Sequence, residues 1–158
     1  MRKPHPSSPL PAPGEAKRGE EGHAGYLLRQ AGVAFRVRME RALADLDTTP
    51  PQFTILTMLA AYPGLSNADL ARLSLLTPQT VSVIVGNLKR SGAVVSRPHA
   101  VHGRIQHLDI TDEGRERLAH CRERVQVVEE QLTADLPPEE EEIVRRWLVR
   151  VATGGFPT

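Results

Sequence analysis

The side chains best suited to chemistry in this chain lie between Thr77 and Asp109. In Thr77–Arg90 (TPQTVSVIVGNLKR), Val81, Ile84, Val85 and Leu88 recur at helical spacing, which leaves Gln79, Thr80, Ser82, Val83 and Asn87 on the other face. Short polar side chains near a helix start, followed by cations, are what a DNA-reading helix requires. Gln79 can pair with adenine and Val83 can pack on a thymine methyl, while Thr80 and Ser82 suit phosphate or mixed contacts. Lys89, Arg90, Arg97 and Arg104 supply charge for the backbone. Any one of these residues alone also fits an ordinary solvated helix face, so the reading rests on the set.

Three other chemistries compete for the same chain. His99, His102, His107 and Asp109 are zinc-type ligands, which keeps a metal-responsive regulator open, but their spacing matches no tight ligand motif and no metal site is assigned. Cys121 is the only cysteine, so it has no internal disulfide partner; it falls on an apolar helical seam, where cysteine acts as a small buried hydrophobe and not as an activated thiolate. Ser, His and Asp occur in no nucleophile elbow, phosphate loop or metalloprotease helix, so neither a catalytic residue nor a cofactor is expected.

Composition bounds the partners. With 158 residues, 40% hydrophobic and 25% charged, the chain fits one globular core with an extension. No run is long and apolar enough for a membrane span or a secretory signal, so the expectation is a cytoplasmic protein with no membrane partner. The net charge is only +1, but it is unevenly spread: Ser66–His107 carries Arg72, Lys89, Arg90, Arg97 and Arg104 against Asp69 alone.

The elements that must position these residues follow from punctuation and period. Residues 1–22 hold five prolines and almost nothing apolar, the composition of a disordered tail. A first helix within 23–46 carries Leu27, Ala31, Phe35, Met39 and Leu46, and a second runs near Gln52–Tyr62 behind Pro50-Pro51. Ser66 and Asp69 form a capping-box pattern for a short third helix, with Leu70 and Leu73 facing inward. Thr77-Pro78 opens the fourth helix and Gly92 stops it, so helices three and four make a helix-turn-helix candidate. Ala93–Arg97 and Gln106–Ile110 predict a two-stranded wing, closing a region at 47–111. Thr111-Asp112-Glu113 caps a long fifth helix with Leu118, Cys121, Val125, Val128 and Leu132 on one seam. A sixth helix follows Pro137-Pro138 with Ile143, Val144, Trp147, Leu148 and Val151; these two helices fill 112–153, ahead of a short tail at 154–158. The fold class is mainly α with a small β wing.

The segments TPPQFTILTML, LARLSLLTPQTVS and LDITDEGRERL, in this order, resemble the MarR (multiple-antibiotic-resistance regulator) family from about Gly25 to Thr153. The resemblance implies a winged helix-turn-helix homodimer whose first, fifth and sixth helices dimerise, binding double-stranded DNA at a pseudo-palindromic operator as a transcriptional regulator, with repression the expected role. It also implies a small aromatic effector, with Tyr26, Phe53, Met58 and Tyr62 as candidate lining residues, although large apolar side chains at helical spacing equally describe core. Arg104 matches the family's minor-groove arginine, but His102 stands where an aspartate usually supports it, and Val83 stands where a cation is frequent. These departures imply weaker, more salt-tolerant phosphate anchoring. They also keep open a winged-helix module that binds protein and not DNA.

Overall fold

The computed structural model describes residues 10–98 and 106–154. It divides into two compact units, residues 1–38 and 39–158. In the first unit, Ala16–Arg18 forms a 3-10 turn inside the Pro-rich tail, for which composition predicts no fixed structure. Arg18 explains it: its guanidinium donates to the Pro11 carbonyl at 2.8 Å, and the Gln30 amide donates to the Arg18 carbonyl at 3.4 Å. Gln30 lies on helix α1 (Ala24–Leu43), which ends in the second unit with Met39 and Leu43 buried and is followed by a 3-10 turn at Ala44–Leu46.

The second unit is built from α2 (Pro50–Ala61), α3 (Asn67–Ser74), α4 (Pro78–Arg90), strands β1 (Val94–Pro98) and β2 (Gln106–Ile110), α5 (Asp112–Thr133) and α6 (Pro138–Ala152). The starts follow the expected side-chain chemistry. Thr49 and Ser66 each make a full capping box, Thr77 accepts from the Thr80 N–H, and Thr111 accepts from the Gly114 N–H. The break at Asp47-Thr48-Thr49 and Pro50-Pro51 signal the α2 start in the sequence; the Gln52 side chain, which accepts from the Thr49 N–H at 2.9 Å, completes the box.

The strands pair antiparallel with Val94 opposite Ile110 and Arg97 opposite His107. Leu65 adds a bridge to Leu108, joining the turn before α3 to the wing. Core side chains come from α2 to α5 and both strands: Ile55, Leu56 and Leu59 of α2, Leu70 of α3, Val81, Ile84, Val85 and Leu88 of α4, Val94 and Leu108 of the wing, and Leu118 of α5. One inward assignment needs correction: Leu73 is 44% exposed, since the eight-residue α3 turns only the Leu70 and Ala71 side into the core. On the α5 seam, Leu118, Cys121, Val125 and Val128 are buried, and Leu132, in the last turn of α5, is 50% exposed.

Gly92 and Gly114 explain the junction that aims the wing. Gly92 adopts φ +76, the left-handed stop expected after α4. Gly114 is needed for space: a Cβ there would lie 2.1 Å from the Ala93 carbonyl oxygen, which also accepts from the Thr111 N–H at 3.1 Å. The glycine of the ITDEG string therefore lets α5 start directly against the base of the wing.

Candidate nucleic-acid interface

Helix α4 presents the surface that its period predicts. Val81, Ile84, Val85 and Leu88 are buried, whereas Gln79, Thr80, Ser82, Val83, Lys89 and Arg90 are exposed and Asn87 is half-buried. Val83 is 64% exposed, an energetically poor place for an isopropyl group in water and a good one for contact with a methyl group. The hydroxyls of Thr77 and Thr80 lie 2.8 Å apart, and Ser82 donates to the Pro78 carbonyl at 2.9 Å, so each can turn outward only by exchanging a local bond.

The cations differ in what already holds them. Arg72 faces the Asp69 carboxylate at 3.4 Å and Arg97 faces Asp109 at 3.2 Å across the wing stem. Lys89 donates to the Ser96 hydroxyl at 2.7 Å, and Arg90 donates to the Asn87 side-chain carbonyl. Lys89 and Arg90 thus meet neutral oxygens and keep their full charge, whereas Arg97 is partly neutralised. The Arg97–Asp109 pair follows from the strand register, which sets Arg97 diagonally across from Asp109 on one face. Arg104, His99 and His102 lie outside the described residues.

Between the start of α3, the middle of α4 and both strands runs a cleft of about 580 Å³, lined by Asn67, Ser82, Lys89, Ser96 and Gln106 among others. No pattern in the sequence singles out Asn67, Ser96 and Gln106, since the packing of α4 against α3 and β1, with β2 paired to β1, is what brings them into the cleft with Lys89. At the α3 start, the Ser66 hydroxyl donates to Asp69 at 2.6 Å and the Ser66 N–H at 3.1 Å. These bonds, with a smaller contribution from Arg72, hold the Asp69 carboxyl below its ordinary range.

The remaining candidates fall elsewhere. Phe53 and Met58 are half-buried against the winged core, Tyr62 is 55% exposed at the end of α2, and Tyr26, in the other unit, is 44% exposed. Burial pushes the Cys121 thiol up, against weaker opposing effects of the Thr48 hydroxyl and Arg117, which disfavours the thiolate. Among the described residues, no three His, Cys, Asp or Glu side chains are placed to hold a metal ion, and no helix is long and apolar enough to cross a membrane.

The MarR family model matches residues 46–105, the span from the end of the first helical region to just before β2. The repressor Rv2887 of Mycobacterium tuberculosis, described as an HTH-type transcriptional repressor, is 30% identical over 134 residues, covering 85% of this chain and 96% of the relative. The solved structure of the transcriptional repressor CouR bound to a 23-mer DNA duplex aligns with a TM-score of 0.79 at 26% identity, covering 87% of this chain and 99% of that one. PcaV of Streptomyces coelicolor, a transcriptional regulator solved in complex with its natural ligand, aligns with a TM-score of 0.74 at 25% identity, covering 86% and 96%.

Proposed function

The chain belongs to the MarR family and is a DNA-binding transcriptional regulator, and we propose that it represses transcription as a homodimer that sets its two α4 helices in successive major grooves of a pseudo-palindromic operator. The observation that carries this reading is α4 itself: four apolar residues are buried while Gln79, Thr80, Ser82 and Val83 stand exposed ahead of Lys89 and Arg90. In this reading Gln79 and Val83 meet bases, Thr80, Ser82 and Asn87 make mixed contacts, and Lys89 and Arg90 hold phosphates. Arg104 enters the minor groove, and Arg97 contributes less because Asp109 already faces it. The protein acts by binding, with no catalytic step, in the cytoplasm.

A small aromatic acid acts as effector in this proposal, since a solved structure of Rv2887 contains p-aminosalicylic acid. Tyr62, exposed at the end of α2, suits the lining better than Phe53 and Met58, which pack against the winged core. Release follows if the ligand changes the spacing of the two α4 helices from about one DNA turn, roughly 34 Å. By linkage, DNA must then weaken effector binding by the same factor that effector weakens DNA binding.

The test is binding of the full-length protein to duplexes from the DNA flanking its own gene, against an unrelated duplex of equal length, with Arg104→Ala alongside. Preference for one flanking duplex is expected, weakened roughly tenfold or more by the substitution, as loss of a charged hydrogen bond implies. Equal, weak binding to every duplex would instead favour the protein-interaction module.

A further inference from the structure

We propose that the cleft between α4 and the stem of the wing seats one strand of the DNA backbone, and that Ser96 is the residue that positions Lys89 on its phosphate. The inference rests on the docking of α4 in the major groove proposed above. A helix in a major groove and a wing in the neighbouring minor groove lie on either side of a single phosphodiester strand, because that strand is the wall between the grooves. The surface joining α4 to β1 and β2 must therefore meet phosphate and not base. In this protein that surface is the cleft of about 580 Å³ lined by Asn67, Ser82, Lys89, Ser96 and Gln106, with no carboxylate among its described lining residues.

The donors there are arranged for an anion. The Lys89 ammonium spends one of its three N–H groups on the Ser96 oxygen at 2.7 Å and keeps two. Ser96 accepts through a lone pair, so its own O–H remains to donate. Three donors and one unneutralised charge thus stand side by side, with the amides of Asn67 and Gln106 also lining the cleft. Holding the long lysine side chain before DNA arrives lowers the rotamer entropy lost on binding. Arg72 and Arg97 are spent on Asp69 and Asp109, and Arg90 does not line the cleft, so among the described residues Lys89 is the cation available to this seat.

The experiment uses the full chain and a duplex that it selects from a random-sequence pool, with an unrelated duplex of equal length. Salt dependence is measured for wild type, Lys89→Gln, Ser96→Ala, Ser96→Thr and the Lys89→Gln/Ser96→Ala pair. Lys89→Gln is expected to lower affinity about tenfold for both duplexes and to reduce the salt slope by about one. Ser96→Ala should lower both affinities roughly threefold, with Ser96→Thr restoring them and the double substitution costing less than the product of the singles. Sequence preference should not change, whereas Gln79→Ala should erode it, and thermal unfolding of each variant separates these effects from lost folding. Wild-type slope and affinity in folded Lys89→Gln and Ser96→Ala, with Gln79→Ala still eroding preference, would overturn the seat and leave the regulator reading standing. A pool that enriches no sequence would overturn both.

Discussion

Helix α4 carries Val81, Ile84, Val85 and Leu88 along one face and buries all four, whereas α6 carries Ile143, Val144, Trp147 and Leu148 at similarly regular spacing and leaves them between 37% and 56% exposed. Both helices are amphipathic and both open with proline in the first turn. What separates them is the partner surface. α4 meets α2, α3 and β1, while none of the fifteen residues of α6 is buried. A periodic stripe says that a helix has a face to cover; it does not say with what. In the proposed homodimer the second copy covers α6, and the two helices then differ in whether folding or association buries them.

The strongest way to sharpen this contrast is to remove a large apolar side chain from each. Leu88→Ala, at a fully buried site, should cost about 2–5 kcal/mol and lower the thermal midpoint at every protein concentration. Trp147→Asp should leave the winged region folded but weaken self-association by about 2 kcal/mol or more, read by sedimentation across a concentration series. If Trp147→Asp instead unfolds the winged region without changing the assembly, the contrast between α4 and α6 fails.

Smaller effects test the entry to the helix-turn-helix. Ser66→Ala should cost about 1 kcal/mol by opening the α3 cap. Because Ser66 holds the Asp69 carboxyl below its ordinary pKa, the stabilisation is complete above the unfolded carboxylate value near about 4 and is lost as pH falls through the native one. The stability gap between wild type and Ser66→Ala should therefore narrow on acidification below about pH 4, as chemical denaturation at several pH values would measure. Leu75 ends α3 with φ 56 and is 90% exposed, so it accepts left-handed strain without packing in return. Leu75→Gly should raise stability by about 0.5–1 kcal/mol, and a loss would mean that the side chain has a contact in the assembled protein.

Much of the local architecture was legible because it is written in short-range chemistry. Thr77, Ser66, Thr111 and Gly92 announce helix ends through bonds that close within four residues, and the α4 stripe needs only a 3.6-residue period. The polar face of α4 follows from the same stripe by subtraction. Leu73 was misplaced because it fits the period of α3, but that helix buries only its Leu70 and Ala71 side.

The amino-acid sequence by itself determined the order of elements, the capped starts, the basic middle and the polar face of the helix proposed to meet DNA, since each depends on neighbours a few residues apart. Tertiary structure alone decided how the charges are spent. Arg97 is drawn to Asp109 by strand register, and Lys89 is turned onto Ser96 by the packing of α4 against β1. Gly114 is required because Ala93, twenty-one positions earlier, brings its carbonyl to within contact of where a Cβ would be. A charge or a glycine acquires its role from the atoms that packing sets beside it, and those atoms come from parts of the chain that no local pattern connects.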